Sequence, residues 1–341
     1  MESNLDIIIP CIKSSHILDN TINNCLKLNK LNKIFVVIEK NENLSYENHE
    51  SVKYIFVPEK TFMSKKRNIA ARHSDAKYLG FMDSDSYPVK NDWSLNAINI
   101  LETKKDVYIV GGPDTSPPGQ SIENDSVGCA MKSFLTVGFR NFKRNTRKAD
   151  YVPEVRSCNM LMERKKYFEM GMMDENTFVA EDTYLCYKTI NKGHKIYYSP
   201  KVHVYHHDRS IKGFLIQRYV RGFEAADAII KCFRKFIKRK KISKEEFQTE
   251  LIFAPALSLY LLSFFLIRNF TNLLDYYYLF LYLYLFVILF ETIKVCKNIK
   301  SFIYVFFILL FGTIIQSFST LLTFFNIKLD LTKIYRNKND Q

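Results

Sequence analysis

The last quarter of the chain restricts its fold more than any other part of the sequence. Between Leu251 and Ile327 the residues are mostly Leu, Phe, Tyr and Ile. They gather into three uncharged segments: Leu251–Ile267 of 17 residues, Tyr276–Phe290 of 15 and Phe302–Ile327 of 26. A helix crossing a bilayer needs about 20 such residues. The third segment is long enough to span. The first two are of marginal length and span, pair as a short hairpin or lie partly in the interface. With their flanks, the three membrane helices are expected at about 251–267, 273–293 and 302–327, followed by a polar tail over 328–341. The third segment shows no polar face, which argues against burial in a soluble core.

Charge enters the argument next. The chain carries 49 Lys and Arg against 35 Asp and Glu, a net charge of +14. Such a balance suits anionic partners. Seven of the eleven residues from Lys231 to Lys241 are basic, interleaved with Phe233, Phe236 and Ile237. This pattern predicts a basic amphipathic helix over 231–250 lying on anionic lipid. Nucleic-acid binding is the rival reading, but it rests on charge alone and no matching module is visible, so no nucleic-acid partner is expected. Lys294, Lys297 and Lys300, between the second and third apolar segments, favour a cytoplasmic position for that loop. Two crossings before it would place the first domain in the cytoplasm as well, although the basic tail weakens the asymmetry. The seven cysteines form no CxxC pair and are read as reduced thiols, mostly small buried side chains. Asp6 precedes an apolar run of only Ile7 to Ile9, far shorter than the core of a signal peptide.

Residues 1–230 look different. Leu5–Pro10, Ile34–Ile38, Val52–Val57 and Tyr78–Met82 are short apolar runs. Helical stretches fall at about 18–28 and 64–75. Continuous apolar strands separated by helices indicate an α/β domain with a mostly parallel sheet covered on both faces. Ligands bind at the carboxyl ends of such strands. Pro10, Glu39 and Asp83 all lie there. The region 106–160 is less regular, with Gly111-Gly112-Pro113 and Pro117-Pro118-Gly119 marking a long loop that either faces a substrate or merely connects.

Asp83-Ser84-Asp85 directly follows an apolar strand. Two carboxylates one residue apart can face one hard cation, Mg2+ or Mn2+, and leave positions open for phosphate oxygens. Alone, the triplet equally suits an Asx-type turn. Its context adds weight. Lys65-Lys66-Arg67 opens a helix, and Arg67 can pair with a diphosphate. Glu181-Asp182 precedes a helical stretch, and His203, His206 and His207 follow. A neutral imidazole completes the shell of a cation held by carboxylates.

The ordered set Ile9-Pro10, Lys66-Arg67-Asn68-x-Ala70, Phe81-Met82-Asp83-Ser84-Asp85, Ser157-Cys158-Asn159-Met160, Glu181-Asp182-x-x-Leu185 and Val204-Tyr205-His206-x-x-Arg209 resembles glycosyltransferase family 2. The likeness covers about residues 5–225. It implies a GT-A fold, Rossmann-like, and an inverting, metal-dependent transfer of a sugar from a nucleotide-diphosphate donor to a hydroxyl acceptor. It implies that Pro10 and Glu39 line the nucleoside pocket, although the family usually carries Asp at the second position. Arg67 would reach the base or diphosphate. Asp83 would serve the nucleotide side, with Asp85 and His206 as metal ligands. Asp182 would be the catalytic base, and Glu181, Asn159 and Gly112 would lie on the acceptor side.

Alternatives remain from the residues themselves. Glu181-Asp182 also suits a helix cap, and His203 or His207 could replace His206. Gln217-Arg218-Tyr219-Val220-Arg221 only loosely resembles the Gln-x-x-Arg-Trp of processive members, and its tryptophan is absent. One sugar per binding event is therefore expected. The acceptor is expected to be a lipid-linked glycan or a cell-surface polysaccharide precursor. A polyprenyl-phosphate glycosyl synthase and an inactive membrane scaffold are the competing readings. A nucleotidyltransferase is disfavoured because no Gly-rich phosphate loop lies near the N-terminus.

Overall fold

The structure, a computed structural model, describes residues 4–39, 44–137, 148–176, 181–237, 257–264, 266, 268, 271–296 and 298–325. The chain divides into two compact units. One comprises Met1–Pro118 and Phe142–His207, the other Gly119–Asn141 and Asp208–Gln341.

The first unit is built on two sheets. Its strands are β1 (Leu5–Pro10), β2 (Leu31–Ile38), β3 (Val52–Phe56), β4 (Tyr78–Phe81), β5 (Ser86–Pro88), β6 (Val107–Gly111), β7 (Asp114–Thr115), β8 (Asp150–Tyr151), β9 (Met160–Glu163), β10 (Lys195–Tyr198) and β11 (Val204–His206). The large sheet runs β3-β2-β1-β4-β9-β6-β10-β8, and β5-β11-β7 form a small second sheet. β1 pairs in parallel with β2 and β4, while β9 enters antiparallel between β4 and β6. The sheet is thus mostly parallel, as the apolar runs predict.

Helices α1 (His16–Cys25), α2 (Met63–His73), α3 (Trp93–Thr103), α6 (Arg164–Glu169) and α7 (Glu181–Asn191) belong to this unit. Every residue of β1 is buried, because both sheet faces are covered. Its one charged side chain, Asp6, is fully satisfied. Its carboxylate accepts Lys33 N at 2.9 Å, Asn32 Nδ2 at 3.0 Å and Ser74 Oγ at 2.5 Å. A buried carboxylate is tolerated only with such partners, and here they tie β1 to its neighbours. The Ser15 side chain caps α1, accepting Leu18 N at 3.2 Å, and Leu18, Ile22 and Cys25 form its buried stripe.

The second unit is helical: α4 (Ile122–Ala130), α5 (Phe134–Val137), α8 (Ile211–Ile237), α9 (257–264), α10 (Thr271–Val295) and α11 (Ile299–Phe324). Part of the expected loop between residues 106 and 160 is therefore helix. The boundary expected near residue 230 lies inside α8, because the chain leaves the sheet unit at His207 and residues 119–141 join the helices. Val127, Ala130 and Met131 pack with Phe214, Ile288, Val305, Ile308 and Leu309. Helices α8 and α11 approach closely at Gly222, where an added Cβ would lie 2.3 Å from Gln316 O. Leu273–Val295 and Ile299–Thr323 are long and apolar enough to cross a membrane. Residues 238–250, most of the predicted basic helix, lie outside the described residues, as do 251–256 of the first apolar segment and the tail. Six described cysteines are free thiols, five of them buried. Burial pushes Cys11 up to about 11 and Cys25 to about 12, which leaves both as thiols.

Candidate active site

The site grows from the end of β4. Chain direction reverses over Asp83–Ser86: Ser86 N donates to Asp83 O at 3.1 Å, and Asp83 N donates to Ser86 Oγ at 2.8 Å. Thr21 Oγ1 donates to Ser84 O at 3.1 Å and ties the turn to α1. β11 lies antiparallel to β5 with His206 opposite Ser86, and His207 N donates to Asp85 O at 2.9 Å. That register sets the three histidines apart by position. His206 is buried, with Nε2 3.2 Å from Asp85 Oδ1. His203 is held by Thr115 Oγ1 at 2.7 Å, and the His207 ring lies 5.9 Å from that of Tyr87. Alternation along β11 explains the difference, since residues 203, 205 and 207 share one face and 206 takes the other.

Donor atoms of Asp83, Asp85 and His206 all lie within 4.8 Å of one another. The two carboxylates are about one-third exposed and the imidazole is buried, so the cluster is open on its carboxylate side. Two hard oxygen donors with one imidazole fit Mg2+ or Mn2+. Burial opposes the charge on His206, but Asp85, Asp114 and Asp83 outweigh it and raise its pKa to about 9. The surrounding carboxylates thus favour positive charge at this position.

Beside the cluster, α2 turns two of its basic residues inward. Arg67, almost wholly buried, bridges Asp83 Oδ1 and Glu181 Oε1, each at 2.6 Å. Burial works against its charge, but Asp83, Glu181 and Asp182 hold it protonated. Burial raises the pKa of Glu181, against the pull of Arg67. Lys66 Nζ lies 3.0 Å from Glu39 Oε1 and donates to Cys11 O. It therefore joins the carboxyl ends of β1, after Pro10, and β2. Asp182, on the first turn of α7, accepts Thr183 N at 2.8 Å and Ser157 N at 3.1 Å. Both the capping bond and the placement beside Arg67 are present.

Two residues expected on the acceptor side make close structural contacts. Asn159 accepts Trp93 Nε1 at 2.9 Å and donates to Pro113 O at 3.0 Å and Val202 O at 2.8 Å. Its whole amide is engaged in fastening the backbone beneath the site. Gly112 leaves no room for a side chain, since an added Cβ would lie 2.0 Å from Val202 O. One residue not singled out by sequence, Asp114, stands next to His206. Asp114 Oδ2 lies 3.6 Å from His206 Nδ1 and accepts Arg156 Nη1 at 2.7 Å. The available signal was an acid directly after Gly111-Gly112-Pro113.

Residues 6–171 match the family described as Glycosyl transferase family 2. No curated protein matches the chain. Among solved structures, the fold is similar to that of the mannosyltransferase PcManGT from Pyrobaculum calidifontis, solved with GDP-Man and Mn2+. The identity is 13%, the TM-score 0.58, and the alignment covers 95% of this chain and 88% of that one. Similarity also extends to GalNAc-T7 with UDP, GalNAc and Mn2+, at 15% identity, TM-score 0.46 and coverage of 60% and 44%. TarS from S. aureus with UDP-GlcNAc matches at 16% identity, TM-score 0.44 and coverage of 61% and 59%. The chain thus spans less than two-thirds of the GalNAc-T7 and TarS chains. The family match runs from β1 through β9 and takes in the turn bearing Asp83 and Asp85, so residues 6–171 carry a glycosyltransferase family 2 domain, set in a GT-A sheet.

Proposed function

We propose that the protein moves a sugar from a nucleoside-diphosphate donor to a hydroxyl acceptor with inversion, using Mg2+ or Mn2+ held by Asp85 and His206. The observation that carries this reading is the convergence of Asp83, Asp85 and His206 at the carboxyl edge of the sheet, where nucleotides bind in open α/β folds. The similar fold of PcManGT, solved with GDP-Man and Mn2+, supports it. The cation, when bound, supplies neutralisation of the charge that develops on the departing diphosphate.

The other roles follow from the geometry. Pro10 and Glu39 border the nucleoside at the ends of β1 and β2. Arg67 is pre-positioned by Asp83 and Glu181, so it can stabilise diphosphate charge without reorganising. Glu181, already ion-paired, orients Arg67. Among the described residues Asp182 accepts hydrogen bonds from the backbone amides of Ser157 and Thr183, so its carboxylate can still take a proton from the acceptor hydroxyl. A single base acting without a covalent step gives inversion.

The membrane part of the proposal rests on α10 and α11. Twelve large apolar side chains on α10 are exposed, Tyr276, Tyr282 and Phe286 among them. In water they would forfeit roughly 1–2 kcal/mol apiece. The sum is comparable to or larger than a domain's net stability of about 5–15 kcal/mol. A bilayer around these helices removes the difficulty. With residues 251–267 as a further crossing, the Lys-flanked link between α10 and α11 and the catalytic unit both face the cytoplasm. A membrane-held transferase then meets lipid-linked glycan acceptors or polysaccharide precursors.

The test is release of nucleoside diphosphate by the detergent-purified chain from a panel of sugar nucleotides. Release that needs Mn2+ or Mg2+ and stops with EDTA is expected. No release and no metal-dependent nucleotide binding from a folded protein would leave the scaffold reading in its place.

A further inference from the structure

Behind the proposed metal ligand His206 lies a buried carboxylate that the transfer chemistry does not use. Asp114 is 1% exposed. It begins β7, which pairs in parallel with β11 through Val204↔Asp114, so Asp114 shares a face with Val204 and His206. Its Oδ2 lies 3.6 Å from His206 Nδ1, 2.7 Å from Arg156 Nη1 and 3.9 Å from Cys158 Sγ. The other ring nitrogen of His206, Nε2, faces Asp85 at 3.2 Å. Nδ1 is buried and makes no hydrogen bond among the described residues, with the Asp114 carboxylate at ion-pair distance, while Nε2 turns toward Asp85 and the open cluster.

The mounting of Asp114 is rigid. Pro113 O accepts both Val204 N and Asn159 Nδ2 at 3.0 Å. Gly111 O accepts Ser199 N at 2.9 Å, and Gly112 fits against Val202 O and Ser199 O only because it lacks a Cβ. Three residues before the aspartate are thus clamped to the segment that leads into β11.

Asp114, Cys158 and His206 could be taken for a second metal cluster, since their donor atoms also lie within 4.8 Å. The ion pair with Arg156 speaks against that, because a guanidinium already occupies the carboxylate a second cation would need. The arrangement is instead that of an outer carboxylate backing a histidine ligand. Such a partner accepts the proton of one ring nitrogen, fixes the tautomer and leaves the other nitrogen's lone pair for the metal.

We propose that Asp114 is a positioning residue that holds His206 through Nδ1 and presents Nε2 to a divalent cation shared with Asp85. Gly111-Gly112-Pro113 fixes the backbone of Asp114, and Arg156 balances its charge. This inference rests on the metal reading given above.

The experiment is a calorimetric titration of the full chain in detergent with Mn2+ alone, without nucleotide. Wild type should bind Mn2+, and Asp114→Asn and Asp114→Ala should each bind it about 10–100-fold more weakly. Arg156→Gln, which breaks the same ion pair but keeps the carboxylate, should stay within about threefold of wild type. Should the Asp114 variants not fold, imidazole 15N spectra of wild type with Mg2+ decide instead. A proton on Nδ1 of His206 is expected, and a proton on Nε2 would overturn the proposal. Folded Asp114 variants with wild-type Mn2+ affinity would overturn it while leaving the metal reading intact. No Mn2+ binding by wild type would remove both.

Discussion

The two units of this protein both bury charged side chains, and they use them in opposite ways. In the helical unit, Glu291 of α10 accepts Ser133 Oγ at 2.7 Å and Phe134 N at 3.0 Å, so its charge caps the start of α5. Arg218 of α8 donates to Thr136 O at 2.6 Å, at the other end of the same short helix. In the sheet unit, Arg67 ends on the carboxylates of Asp83 and Glu181, and His206 faces Asp85 and Asp114. In the helical unit the bonds to backbone groups complete a helix, and Glu291 also pairs with Lys294 at 2.9 Å. Charges that end on one another, with Asp83 and Asp85 partly open to solvent, form a site that a ligand can rearrange. The comparison predicts that substitutions in the first set change stability, and those in the second change chemistry.

The largest effect should come from Asp182→Asn. As the base, Asp182 is worth about 10²–10⁴ in rate. Initial velocities should fall by that factor while calorimetry shows donor affinity within a few-fold of wild type. Unchanged turnover would reduce Asp182 to the helix cap that its bond to Thr183 N already makes it. Arg67→Met comes next. It leaves Asp83 and Glu181 facing each other without a cation, and one-sided removal of a buried pair costs about 3–5 kcal/mol. Denaturant midpoints and nucleotide affinity should both drop. A loss confined to stability would place Arg67 with the structural charges.

The sequence made much of this comparison legible on one side. The strands β1 to β4 announced themselves as unbroken apolar runs, and Pro10, Glu39 and Asp83 fell at their ends for that reason. His206 was distinguishable from His203 and His207 only by family register, because strand alternation assigns a face only once the pairing with β5 is known. Asn159 and Gly112 looked like contact residues. An amide that bonds Trp93 and two carbonyls, and a glycine pressed on a carbonyl, are tertiary facts without a local signature. Asp114 was invisible for the same reason. Helices α4 and α5 were hidden in an irregular stretch because they are short, and the side chains that cap α5 lie more than 80 residues away at Arg218 and Glu291.

A third prediction concerns pH. The folded pKa of His206 is about 9 against an ordinary 6.5. A raised pKa means that the ion pairs stabilise fully below 6.5 and that this contribution disappears as pH rises through 9. The metal-free protein should lose on the order of 3 kcal/mol over that window, at about 1.4 kcal/mol per unit. His206→Gln should flatten the profile. The smallest effect belongs to the helical unit. Glu291→Gln should lower stability by about 1–3 kcal/mol, the cost of weakening a buried acceptor, and leave kcat of the folded enzyme unchanged. A catalytic defect at full stability would break the division between the two sets of charges.

The central claim is that Asp85 and His206, clustered with Asp83, hold a divalent cation for a nucleotide donor. Calorimetric titration with GDP and UDP, in Mn2+ and then in EDTA, tests it most directly. Binding of at least one nucleotide that requires Mn2+, and that Asp85→Asn abolishes, is the expected result. Binding of equal strength in EDTA, or in the Asp85 variant, would contradict it.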